Sequence, residues 1–168
     1  MDIAALVELE SVVQFSDAGF NAQSAVTMNS IPSLDQSVVK HRQLVQLAYV
    51  MGAALMLFAV ALGAFGSHMF GPELRANGNL HVFNTANQYH FIHALALLII
   101  AGMGERIRLG MLSVVVYAML LGVILFSGSL YLLALFDIKA LGIITPIGGV
   151  SLLLAWLGLV ASQLQRSL

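Results

Sequence analysis

The stretch "LGMLSVVVYAMLLGVILFSGSLYLLALF", residues 109–136, contains no Asp, Glu, Lys or Arg. A membrane with a hydrocarbon core of about 30 Å is crossed by about 20 helical residues, because an α-helix rises about 1.5 Å per residue. The 28 residues of this stretch are therefore enough for one crossing with polar ends to spare. The stretch predicts a transmembrane helix.

Three further stretches of the chain also lack charged residues. They cover residues 43–72, 76–104 and 140–165, which are 30, 29 and 26 residues long. Hydrophobic residues make up 60% of the 168-residue chain and charged residues 9%, whereas soluble domains average about 45–50% and about 25%. A soluble protein of this size has too little polar surface to cover four such stretches.

The sequence therefore predicts an all-α membrane protein with a four-transmembrane-helix bundle. We expect the helices at about 44–65, 85–103, 109–136 and 140–163. The longest connection, between the first two helices, is expected to lie along the membrane interface as a short helix.

The first 39 residues differ from the rest of the chain. They contain five acids and no Lys or Arg, so they lack the basic start of a signal peptide. We interpret residues 1–39 as an acidic N-terminal extension, with an amphipathic helix at about 3–15 followed by a linker, and residues 40–168 as the transmembrane domain.

The basic residues near the ends of the spans predict the orientation of the bundle. With both termini in the cytoplasm, five basic residues lie inside and only Arg75 and Lys139 lie outside. The five are Lys40, Arg42, Arg106, Arg108 and Arg166. The excess of positive charge on one side favours an N-in, C-in topology.

Charge and cysteine content exclude several classes of function. The net charge is −1 and the seven basic residues are scattered, so no nucleic-acid surface is predicted. The chain has no cysteine, which excludes disulfides, thiolate metal sites and cysteine nucleophiles. The predicted partner is the lipid bilayer, and a membrane-protein partner or a second copy of the chain is compatible with this composition.

Small residues recur at helical spacing and predict where the helices pack. Helices in lipid associate through close backbone approach, so such residues are expected at their contacts. The positions selected for packing are Gly63, Gly122, Gly148, Ser151, Ala155, Gly158 and Ser162. Pro146 lies inside the fourth span and predicts a kink or a short break, because proline removes a backbone donor and crowds the preceding turn.

Three interpretations apply to the polar side chains of the spans. His93 is expected to point into the bundle, since polar groups in hydrocarbon are costly, and we favour a neutral histidine bonded across helices. A polar pocket near His68, His93, Ser127 and Tyr131 would instead suit a proton or a small solute. A metal or haem site would combine His68, His90 and His93, although no cysteine or deep carboxylate completes it.

The start of the second helix is rich in amide side chains and is interpreted as the end of the helix that water or lipid head groups hydrate. Asn84, Asn87, Gln88 and His90 are expected at the outer interface. No acid at membrane depth could orient a histidine towards a serine, and no G-x-S-x-G elbow is present, so catalysis is not predicted.

Four ordered motifs resemble those of the YgdD-like family, a group of small four-helix bacterial inner-membrane proteins. They are "GAFGSH" (63–68), "FNTANQYHFIHALALL" (83–98), "FSGSLYLLAL" (126–135) and "TPIGG" (145–149). The resemblance implies a multi-pass protein of the bacterial inner (plasma) membrane. It implies no particular activity or cofactor. The polar residues on these motifs are His68, Tyr89, His93, Ser127, Ser129, Tyr131 and Thr145.

The sequence therefore indicates a non-enzymatic structural, accessory or interaction component of the membrane. A transporter or channel for a proton or small solute is the second hypothesis. A haem or quinone redox component is the third.

Overall fold

The computed structural model describes residues 33–164, apart from the side chains of residues 33–35 and 67. Within this range the chain forms six α-helices and no strands. The helices are α1 (Ser33–His68), α2 (Gly71–Ala76), α3 (Leu80–Met103), α4 (Leu109–Val123), α5 (Ser129–Phe136) and α6 (Thr145–Leu164).

Four helical segments are long and apolar enough to cross a membrane, which confirms the predicted four-helix membrane architecture. Their bounds are Gln36–Gly66, Leu80–Arg106, Leu109–Phe136 and Lys139–Leu164. The third segment joins α4 to α5 through a π-helical turn, Ile124–Gly128. The fourth begins with a 3-10 helix, Lys139–Ile143, which leads into α6.

The helix ends differ from the predicted ones where a helix extends into polar sequence. α1 begins at Ser33 rather than near residue 44, and α3 begins at Leu80 rather than near residue 85. An uncharged stretch indicates only the part of a helix that lies in lipid. The helical hydrogen bonds of the backbone continue into the polar residues on either side, so the helix is longer than the uncharged stretch. The amphipathic helix expected at about 3–15 and the linker as far as residue 32 lie outside the described residues, whereas residues 33–39, which were expected in that linker, form the start of α1.

The connection between α1 and α3 contains the short helix α2, as the sequence predicted. Leu74 of α2 is only 2% exposed and packs beside Phe83, Tyr131 and Ala134. This packing holds α2 against the end of the bundle, which we call the α2 end. The opposite end carries the tight turn between α3 and α4.

The half of the bundle away from α2 has a closely packed apolar core. Leu97, Ile100, Leu112, Val116 and Met119 are each no more than 2% exposed. Beside this core, at the turn, the Nε2 atom of His41 lies 2.8 Å from the carbonyl oxygen of Gly104 and so fixes α1 to the end of α3. Polar groups of the helices are concentrated nearer the α2 end.

Most of the predicted small residues lie at the contact between the third and fourth spans, whereas Gly63 of the first span faces Asn87 of α3. A Cβ atom on Gly148 would overlap the backbone of Phe126 and lie 2.8 Å from the carbonyl carbon of Leu125. A Cβ on Gly122 would lie 2.7 Å from Cγ of Leu152. The two spans therefore approach as closely as their backbones allow.

The other small residues predicted on α6 make contacts of different kinds. Ala155 is fully buried, and the Ser151 hydroxyl donates to the Ala118 carbonyl at 2.8 Å. A Cβ on Gly158 would lie 3.1 Å from the Val115 side chain, which is a close contact with a side chain and not with the backbone. The Ser162 hydroxyl donates to Leu159 of its own helix at 2.6 Å rather than to a neighbouring helix.

Pro146 lies near the start of a helix rather than in the middle of one. It is the second residue of α6, where the backbone N–H that proline lacks would have had no partner within the helix. The irregularity of the fourth span is instead the change from the 3-10 helix to α6 just before Pro146.

Candidate functional site

The polar residues selected from the sequence do not form one pocket. His93 meets Trp156 of α6, and Tyr89 stacks on His93. Tyr131 instead meets His90, which lies on a neighbouring part of the α3 surface. The structure therefore separates them into two clusters, which we call the His93 cluster and the His90 cluster.

The His93 cluster satisfies both nitrogen atoms of the imidazole. Nδ1 lies 2.7 Å from the carbonyl oxygen of Tyr89, and the indole N–H of Trp156 donates to Nε2 at 3.2 Å. Because the carbonyl oxygen can only accept and the indole can only donate, these bonds assign the neutral tautomer with the proton on Nδ1. Tyr89 is 40% exposed, and its ring stacks on His93 with centroids 5.8 Å apart and meets Phe126 at 4.5 Å.

The His90 cluster links α3 to α5. The Tyr131 hydroxyl donates to Oδ1 of Asn87 at 2.8 Å, and Nδ1 of His90 lies 3.4 Å from the same hydroxyl. Because the single phenolic proton is used on Asn87, His90 contributes the proton of the longer contact. The Tyr131 ring also meets the ring of Phe83 edge-on, at 5.1 Å between centroids.

Two buried polar atoms of this region have no hydrogen-bond partner among the described residues. They are Nε2 of His90 and Oγ of Ser127, and their residues are 5% and 1% exposed. Ser127 lies in the π-helical turn Ile124–Gly128, and such turns occur frequently at functional sites. Unpaired buried groups cost free energy, so these two atoms are the best local markers of a functional role.

Ser129 and Thr145 join the third span to the fourth. Their hydroxyl oxygens are 2.8 Å apart, and the hydroxyls also reach the carbonyl oxygens of Phe126 at 3.0 Å and Leu141 at 3.3 Å. Both side chains therefore act in a contact between helices.

His68 is an exposed residue at the end of α1. Within residues 33–164 no three His, Cys, Asp or Glu side chains lie close enough together to hold a metal ion. The suggested combination of His68, His90 and His93 is therefore not formed, because the two deeper imidazoles point to different neighbouring helices.

A polar cavity of about 270 Å³ opens at the α2 end between α1 and α3. We call it the α2-end groove. Its polar lining comes from Arg75, Asn84 and Asn87, and its apolar wall from Leu80 and Phe83. This groove was not predicted from the sequence, because Asn84 and Asn87 were interpreted as residues at the hydrated end of a helix.

Comparison with known sequences identifies the family. A family model described as "Protein of unknown function (DUF423)" matches residues 62–149. The UPF0382 membrane protein YwdK of Bacillus subtilis is 38% identical over 117 residues, which are 69% of this chain and 94% of YwdK. The chain belongs to the DUF423 family. The inner membrane protein YgdD of Escherichia coli is 41% identical over 98 residues, 58% of this chain and 73% of YgdD.

Membership of the DUF423 family agrees with the resemblance seen in the motifs. The matched residues include α2, α3, the π-helical turn and Pro146, and thus both buried unpaired atoms and the groove. Together with its four apolar spans, the family places this chain in the membrane as a multi-pass protein. No solved structure matches the chain significantly.

Sequence reasoning missed Asn87, His90 and Trp156 as members of these clusters. His90 was expected among the hydrated residues at the start of the helix, but its side chain is only 5% exposed and lies inside the bundle. The burial of His90 could have been predicted if the helix had been started at Leu80. The buried residues of that longer helix recur at helical spacing along one face. The stripe comprises Phe83, Ala86, His90, Ala94, Leu97 and Ala101.

Proposed function

We propose that this DUF423 protein is a non-enzymatic accessory component of the membrane that acts by packing against other membrane helices. One observation carries the proposal: most polar side chains on its motifs are already used in contacts within the bundle. His93 is bonded on both nitrogens, Ser129 meets Thr145, and Tyr131 donates to Asn87. Side chains held in this way serve a scaffold better than a reaction centre.

α1 is the surface that we assign to association. Only 17% of the most apolar window of its span is buried, compared with 44%, 33% and 22% for the second, third and fourth spans. Tyr49, Leu57 and Phe58 are each at least 60% exposed along one helix. A second copy of the chain or a helix of another membrane protein would cover this surface.

Because the chain has no cysteine, single cysteines can test the α1 surface in native membranes. We expect Leu57→Cys, carrying a photoreactive maleimide, to give a discrete larger band after illumination, since Leu57 is 69% exposed. Ala59→Cys is the matched control, because Ala59 is fully buried two residues away. A larger band whose mass fits two copies would identify a homo-oligomer. The proposal fails if Leu57→Cys yields only lipid adducts.

We further propose that both termini face the cytoplasm, as the Lys and Arg distribution favours. Asn77→Cys at the α2 end should then react with a membrane-impermeant maleimide in intact cells. Glu105→Cys at the opposite turn should react only after lysis. Both positions are exposed, so their labelling after lysis should be equal. The reverse pattern would mean that the bundle is inverted.

A transport pathway for a proton or a small solute receives less support from the geometry. A series of hydrogen-bonded polar side chains extends from the α2-end groove through Asn87 and Tyr131 to His90. Beyond it lies the apolar core around Leu97 and Met119, which are fully buried. A closely packed apolar layer is a high barrier to a charged solute, which favours the accessory role.

A further inference from the structure

We infer that the α2-end groove is a binding site for a phosphate group. The cavity of about 270 Å³ is smaller than a typical pocket for a drug-sized molecule, and it suits a compact head group. Arg75, Asn84 and Asn87 give it donors on more than one side, and no acidic side chain lines it.

Arg75 provides the positive charge of the site. Its guanidinium folds over Gly71, so that a Cβ on that glycine would lie 3.3 Å from a terminal nitrogen. Within residues 33–164 its side chain has no ion-pair partner. Glu73, the nearest acid along the chain, lines a separate cavity with Phe70 and Phe136. Arginine presents several N–H donors in a planar fork, which fits the oxygen atoms of a phosphate.

Asn87 is oriented so that its amide donors face the groove. Tyr131 donates to Oδ1 of Asn87, which turns the amide nitrogen towards α1. A Cβ atom on Gly63 would lie 2.9 Å from that nitrogen. Asn84 lies three residues earlier and therefore on the same face of α3. The groove thus offers amide N–H groups and one cation to acceptor oxygens.

Gly63 and Gly66 make room for the side chains of Asn87 and Phe83, which form the wall of the groove. A Cβ on Gly66 would lie 2.7 Å from the Phe83 ring, so even alanine at this position would push the ring from its place. The first span ends at Gly66 and the second begins at Leu80. The groove therefore lies at the level where lipid head groups carry their phosphates.

The test uses the full-length protein in mild detergent, with phosphatidylglycerol and inorganic phosphate added separately. Native mass spectrometry measures retained lipid, and thermal melting measures stabilisation by either compound. We expect Arg75→Gln to weaken binding at least tenfold. Lys139→Gln is the matched control, because it removes the same charge from an exposed residue at the same end of the bundle.

The outcomes separate the two sources of phosphate. Binding of phosphatidylglycerol alone assigns the groove to a lipid head group, and binding of inorganic phosphate alone assigns it to a soluble phosphate. Asn84→Leu provides a second variant that removes a donor without removing charge, and it should also weaken binding. The inference is overturned if neither compound binds, or if Arg75→Gln binds as well as Lys139→Gln.

Discussion

Gly148→Ala is expected to cause a large loss of stability although it adds only one methyl group. The new Cβ atom would overlap the backbone at Phe126 and lie 2.8 Å from the carbonyl carbon of Leu125. A backbone contact cannot be relieved by a rotamer change, so the third and fourth spans must separate. Overpacking typically costs about 1–3 kcal/mol, and we expect this substitution at the upper end, near 3 kcal/mol.

Gly149→Ala is the matched control for this prediction. It lies next along α6, and its added Cβ atom would meet only the Phe126 ring at 3.6 Å, an ordinary contact distance. Alanine also favours a helix over glycine by roughly 0.5–1 kcal/mol, so this variant should melt at or above the wild-type temperature. Melting of the purified variants in mild detergent, followed by size-exclusion chromatography, compares them. Equal melting temperatures for the two variants would contradict the close approach at Gly148.

The four spans could be predicted from the sequence because lipid imposes a simple requirement on each of them. An uncharged segment of about 20 residues or more is needed for each crossing, and the chain contains four. The π-helical turn Ile124–Gly128 has no such signal, since "ILFSG" is as apolar as the helical residues around it. It depends on how the third span packs against its neighbours.

The small residues predicted the contact surface but not the energy of each contact. Gly148 and Gly158 lie on the same face of α6, yet the first meets backbone and the second meets the side chains of Val115 and Met111. Spacing places both residues on one face, whereas only the structure gives the distance to the facing helix.

The pairing of the polar residues could not be predicted for a related reason. His90 and His93 are three residues apart and lie on neighbouring parts of one helix, so spacing alone suggested a shared site. Their angular separation is enough to direct His93 to Trp156 and His90 to Tyr131. Which neighbouring helix each one meets depends on the packing of the bundle.

Tyr131→Phe is expected to lower the stability of the bundle through the loss of one hydroxyl group. The substitution leaves Oδ1 of Asn87 without its donor at 2.8 Å and Nδ1 of His90 without its acceptor. Hydrogen bonds between membrane helices are worth about 0.6 kcal/mol on average and up to about 1.7 kcal/mol. Because two buried groups lose their partner together, we expect a loss of about 1–2 kcal/mol.

Tyr117→Phe removes the same hydroxyl from a residue that is 57% exposed, and it should leave the melting temperature unchanged. Tyr131→Phe should also release the Asn87 amide, which then turns towards the unpaired His90 and withdraws a donor from the α2-end groove. Weaker binding of phosphatidylglycerol or inorganic phosphate by Tyr131→Phe than by Tyr117→Phe, measured at a temperature where both are folded, is therefore expected. Lower stability with unchanged phosphate binding would mean that Tyr131 supports the fold but does not orient Asn87.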